Sequence, residues 1–100
     1  MSALARQKTL ASSYTFEGRG LHSGKLVKAT LLPAPENSGI FFRAGETVIP
    51  ATIEYVKDTP RCTTLQRDGK QVSTVEHFLA ACWGSELDNL EVVVEGEELP

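Results

Sequence analysis

The feature that most constrains this chain is a change of period near residue 73. Before it, apolar residues come in short runs and alternations cut by glycines and prolines. After it, Val75, Phe78, Leu79 and Cys82 fall at i, i+3, i+4 and i+7, one stripe of an α-helix. Ser73 suits an N-cap, Glu76 three residues later completes a capping box, and Gly84 suits the C-terminal stop. The pattern predicts a helix over 74–83. One late helix among many short strands predicts an α+β fold, a two-layer sandwich of sheet on helix. A length of 100 residues allows one domain with a modest core and not two ordinary ones.

The strand pattern is read from its punctuation. Leu10–Phe16 is a candidate strand with Tyr14 and Phe16 on one face. Gly18-Arg19-Gly20 and Gly24 bracket a tight connection that holds Leu21 and His22. Leu26–Leu32 follows as a half-buried strand, and two prolines and a glycine make 33–39 a loop. Ile40–Arg43 and Thr47–Ile49 are short strands about Ala44-Gly45, while 55–60 fits either strand or loop. Cys62–Gln66 and Lys70–Val72 flank Asp68-Gly69, a strong hairpin turn. Asn89–Glu95 reads as the last strand.

Charge and cysteine content narrow the function. The formal net charge of −3 gives no general attraction to nucleic acid or to an anionic membrane. No run of apolar residues is long enough to span a bilayer, and the first six residues lack the apolar core of a secretory signal. Cys62 and Cys82 lack the close spacing of a metal site, and free thiols in a cytoplasmic protein are the expectation. Trp83, at the helix end, is expected to pack.

Two residues in the first turn of the helix have chemical potential. A neutral imidazole with a free lone pair suits the positive end of a helix macrodipole, which favours His77 as a metal ligand. Glu76, about 100° around the helix, is placed to take a proton from an attacking water. Against this stands the capping box, which accounts for Glu76 with no catalysis, and the need of metal sites for three or four ligands. Only His22 and His77 are present. The 18–25 stretch lacks the spacing of a phosphate-binding loop, so a structural turn is expected there. Spacing alone leaves these alternatives open.

A collinear set of segments goes further. Gln7-Lys8-Thr9-Leu10, Gly18-Arg19-Gly20-Leu21-His22-Ser23-Gly24, Pro33-Ala34-Pro35-Glu36-Asn37-Ser38-Gly39, Asp58-Thr59-Pro60-Arg61-Cys62-Thr63-Thr64-Leu65, Ser73–Ala81, Leu87-Asp88-Asn89-Leu90 and Gly96-Glu97-Glu98-Leu99-Pro100 occur in that order. Each is weak alone. Together they resemble the UDP-3-O-acyl-N-acetylglucosamine deacetylases, zinc-dependent hydrolases of lipid A biosynthesis in the bacterial cytoplasm.

The resemblance implies one half of a duplicated two-domain fold, with residues 1–100 as the N-terminal domain, shortened near its last helix and without the second domain. It implies hydrolysis of the N-acetyl group of an acylated UDP-sugar. Glu76 matches the family's general base and His77 one ligand of Zn²⁺. Arg61, Cys62 and Thr63 match a stretch lining the substrate site, although Arg61 replaces an apolar residue often found there. The family's remaining ligands, in a His-Lys-x-x-Asp motif, and a later acid His have no counterpart in these residues. The isolated chain is therefore expected to be nearly inactive. The alternative is a noncatalytic half-domain that binds a ligand or dimerises.

Overall fold

The computed structural model describes residues 7–20, 24–58 and 63–100. Among them are eight strands, β1 (Tyr14–Arg19), β2 (Leu26–Pro33), β3 (Ile40–Ala44), β4 (Thr47–Pro50), β5 (Val56–Asp58), β6 (Thr63–Arg67), β7 (Lys70–Ser73) and β8 (Leu90–Glu95). A single α-helix, α1 (Glu76–Gly84), lies between β7 and β8, and a 3-10 turn covers Ile53–Tyr55. The strands form a five-stranded sheet in the order β1-β2-β8-β3-β4 and a three-stranded sheet in the order β5-β6-β7. All pairings are antiparallel except β3 with β8.

Alternation along the strands decides which face of the large sheet is covered. Val27 and Ala29 of β2, Phe42 and Ala44 of β3, Ile49 of β4, and Leu90, Val92 and Val94 of β8 are buried. Their intervening neighbours, such as Lys28, Arg43 and Glu91, point to the other face. On the core face sit α1, through Val75, Leu79 and Cys82, and the small sheet, through Leu65 and Val72. The rings of Phe42 and Phe78 meet edge to face at 6.0 Å, fixing α1 to β3. The fold is α+β, with a second layer of one helix and a three-stranded sheet. That layer is thus not helical alone, as the sequence reading had it.

Coverage stops short of the sheet edge. Tyr14 and Phe16 are paired with Leu31 and Ala29 and so share the core face, yet they are 56% and 38% exposed.

Turn chemistry explains the hairpins. Asp68 and Gly69 both have positive φ, 50° and 79°, as the two central residues of a type I′ turn require. Around 20–25, the Gly20 N–H donates to the Lys25 carbonyl and the Gly24 N–H to that of Gly20, 2.9 Å each. This closes the β1–β2 hairpin and agrees with a structural turn; Leu21 and His22 lie outside the described residues.

Several expectations are corrected. The first strand starts at Tyr14, not Leu10, and runs to Arg19. The ambiguous 55–60 stretch begins as the 3-10 turn and becomes β5. The helix spans Glu76–Gly84, with Val75 in the N-cap position and no side-chain cap bond. Ser73 instead ends β7, and its hydroxyl pairs with that of Thr64 at 3.0 Å. No capping box forms, because sheet pairing claims Ser73 and Glu76 is then the first helical residue instead of the third. Trp83 is 65% exposed instead of packed.

Candidate functional site

The first turn of α1 is held by the start of β6. The Thr63 carbonyl accepts from the Thr74 N–H at 3.0 Å and from the Val75 N–H at 3.4 Å. The Thr63 N–H donates to Glu76 Oε2 at 2.8 Å. One residue thus clamps the helix start through both its main-chain groups. Between β7 and α1 the chain must turn sharply, and Thr74 takes φ +62° to do so. That is a strained conformation for a β-branched residue, of the kind that persists where surrounding contacts enforce it.

The Glu76 carboxylate is therefore fixed on one side only. Oε2 has its main-chain donor, while Oε1 is buried with no hydrogen-bond partner among the described residues, as is Thr74 Oγ1. Buried polar oxygens without partners are uncommon and call for an explanation. The Thr63 N–H holds the Glu76 carboxyl below its ordinary range; desolvation opposes this, and the nearby His77 assists it. Glu76 is accordingly an anion near neutral pH, able to accept a proton.

His77, the next residue, is exposed. Glu76 and His77 thus leave the same first turn, one half-buried and anchored, the other open to solvent. Among the described residues no group of three or more His, Cys, Asp or Glu side chains could hold a metal ion. The donor set fits Zn²⁺ in part: an accessible imidazole, and a carboxylate with one oxygen left free of protein donors. Other ligands have to come from elsewhere. Thr63, expected to line the substrate site, is occupied through its main chain with Glu76. Arg61 and Cys62 lie outside the described residues. Cys82 is a free, buried thiol whose pKa is pushed up by burial, so it is no nucleophile.

Sequence reasoning missed a second set of residues. Glu97–Leu99 runs beside the end of β7: the Ser73 N–H donates to the Glu97 carbonyl at 2.7 Å and the Leu99 N–H to the Ser73 carbonyl at 3.1 Å. Leu99 and Glu98 are both buried, each 4% exposed. The sequence reading placed Gly96–Pro100 among the segments that carry the family resemblance and gave it no structural role.

At the other end of α1 lies a groove of about 1130 Å³, bordered by Gln7, Lys8, Trp83, Glu86, Asp88 and Asn89 among others. Its polar groups largely serve one another. Lys8 Nζ meets Glu86 at 2.9 Å, the Lys8 N–H meets Asp88 at 2.7 Å, and Asn89 Nδ2 donates to Gln7 Oε1 at 2.7 Å. This groove straps residues 7–9 to the fold and holds no reacting group.

Among the described residues no helix is long and apolar enough to cross a membrane. Comparison with known proteins gives a consistent result. Residues 7–100 match the family model described as LpxC, UDP-3-O-acyl N-acetylglycosamine deacetylase. The chain is 49% identical over 98 residues to the UDP-3-O-acyl-N-acetylglucosamine deacetylase of Myxococcus xanthus, covering 94% of this chain and 31% of that protein. It is 45% identical over 101 residues to the enzyme of the same name from Chromohalobacter salexigens, covering 97% and 33%. Against that of Wigglesworthia glossinidia brevipalpis it is 41% identical over 102 residues, covering 97% and 34%. The chain spans about a third of the length of these relatives. With the match running through the clamped turn at Thr63, Glu76 and His77 and over nearly all of the sequence, the chain belongs to the UDP-3-O-acyl N-acetylglycosamine deacetylase family.

Proposed function

We propose that this chain is the N-terminal part of a zinc-dependent deacetylase that removes the N-acetyl group of an acylated UDP-sugar in lipid A biosynthesis, in the cytoplasm. The observation that carries this reading is the half-satisfied carboxylate of Glu76, anchored through Oε2 while the buried Oε1 has no donor among the described residues, beside an exposed imidazole. A general base needs that arrangement: an ionised carboxylate whose orientation is fixed from behind and whose other oxygen faces a proton donor. When bound, Zn²⁺ supplies Lewis-acid polarisation of the amide carbonyl and lowers the pKa of water.

In this reading Glu76 accepts the proton of the attacking water, and the Thr63 N–H keeps its carboxylate from rotating away. His77 holds one coordination position through its exposed ring. The remaining ligands belong to a part of the protein beyond these residues, in keeping with the third-length match to the relatives. Thr63 contributes by positioning Glu76, while Arg61 and Cys62 border the substrate. The domain is one half of a duplicated fold. Tyr14 and Phe16, exposed on the core face, are where a further layer would pack.

The test is a chimera in which this chain replaces the matching third of the Myxococcus xanthus relative. Glu76→Gln is expected to lower the rate of acetate release by roughly 10²–10⁴-fold while zinc content holds. His77→Ala is expected to lose zinc as well as activity. Full activity after Glu76→Gln, or unchanged zinc after His77→Ala, would reject the assignment.

A further inference from the structure

We propose that Glu98 is a positioning residue, which locks the β1–β2 turn onto the strand end that launches α1 and so holds Glu76 in register. This deepens the deacetylase reading and rests on it for the importance of Glu76. Three close approaches place the 96–100 segment between two parts of the fold. A Cβ at Gly96 would come within 2.7 Å of Val27 Cγ1, and one at Gly18 within 3.0 Å of Pro100 Cβ. A Cβ at Gly20 would fall 2.7 Å from Glu98 Cγ and overlap the carboxyl group itself. Gly20 is not among the glycines with positive φ; what it supplies is room.

The same segment is paired on its other side with Ser73, through the Glu97 carbonyl and the Leu99 N–H. Ser73 is three residues before Glu76, and Thr74 between them is held in its strained turn by the Thr63 carbonyl. A buried carboxylate seated on the α-carbon of Gly20 therefore connects the hairpin turn, by way of Ser73, to the residue that clamps Glu76. Burial at 4% leaves the Glu98 side chain little freedom to move aside for an added methyl group.

Amide hydrogen exchange on the full chain tests this, with the Thr63 N–H as reporter because it donates to Glu76. Glu98→Ala is expected to speed Thr63 exchange by about tenfold or more while Val92, in the middle of β8, is unchanged, the mark of a local opening. Gly20→Ala should have the same effect by ejecting the carboxyl from its seat. The double variant should be no worse than either alone, because both remove one contact. Glu98→Gln, of nearly equal shape, should restore most of the protection. Additive effects of Gly20→Ala and Glu98→Ala, equal acceleration at Thr63 and Val92, or no rescue by Gln would each overturn the proposal. If Gly20→Ala does not fold, the Ala and Gln variants of Glu98 decide it alone, since neither adds volume. None of these measurements needs catalysis, so their failure is distinct from failure of the deacetylase reading.

Discussion

The two ends of α1 are both tied to the rest of the molecule through main-chain bonds, but in different surroundings. At its start, main-chain groups of Thr63, Thr74 and Val75 and the Glu76 carboxylate interlock next to the pairing of half-buried Ser73 with buried Leu99. Past its end, the Lys8 carbonyl accepts from the Asp88 and Asn89 N–H groups and the Lys8 N–H donates to Asp88, but Lys8, Glu86 and Asp88 are exposed, the Lys8–Glu86 ion pair included, and of these residues only Asn89 is buried. Main-chain clamps fix a position closely, because they have few rotatable bonds and lie away from competing water. Exposed side-chain pairs give up entropy to form and are screened by salt. The more closely fixed end of the helix is the one that carries Glu76 and His77, the pair to which the proposed chemistry is assigned. The looser end only closes the domain.

The comparison can be broken at its common support. Phe42→Ala removes the ring on which Phe78 rests and should destabilise both ends together by about 3–5 kcal/mol, seen as a lower urea midpoint. Next in size, Glu76→Ala strands the Thr63 N–H and should cost about 1–3 kcal/mol. The associated pH dependence has a definite sign. Folding holds the Glu76 carboxyl below its ordinary 4.5, so its contribution is complete above about that pH and is lost as pH falls through the folded value. Glu76→Gln should flatten that acid limb of the stability curve, and an unchanged limb would assign the loss to other carboxylates.

The helix end supplies the smaller effects. Asn89 Oδ1 accepts from the Gly39 N–H at 2.9 Å while its amide donates to Gln7. Asn89→Ala should therefore cost about 1–2 kcal/mol, with faster exchange confined to Gly39. Lys8→Ala removes a pair in which Glu86 holds the ammonium pKa up, yet both side chains are exposed. It should leave the urea midpoint unmoved, and any effect should vanish in 0.5 M salt, on the order of a Debye length below 5 Å. A Lys8→Ala loss as large as that of Glu76→Ala would erase the distinction between the two ends.

Much of the fold was legible because it is written in local periods. The alternation of β2, β3 and β8, the Asp68-Gly69 turn and the 75-78-79-82 stripe each depend on residues close in sequence. The edges were less so. The sequence reading starts the first strand four residues early, at Leu10, because an apolar residue reads alike in a strand and in a strap packed beside the core. Ser73 reads as a cap because a cap and a strand end suit the same side chain, and only pairing with Thr64 and Glu97 separates them. Trp83 reads as packing because an indole is mostly apolar, yet here it is 65% exposed.

For the candidate site, the sequence by itself determined which side chains share the first turn of the helix, since adjacency and helical period need no tertiary information. Through its collinear segments it also carried the family. Only the tertiary structure decided that Glu76 is anchored by Thr63 instead of serving as a cap, and that Glu98 is seated on Gly20. Those contacts join residues 13 and 78 positions apart, and no local rule of propensity or spacing encodes which distant groups the folding of two sheets will bring together.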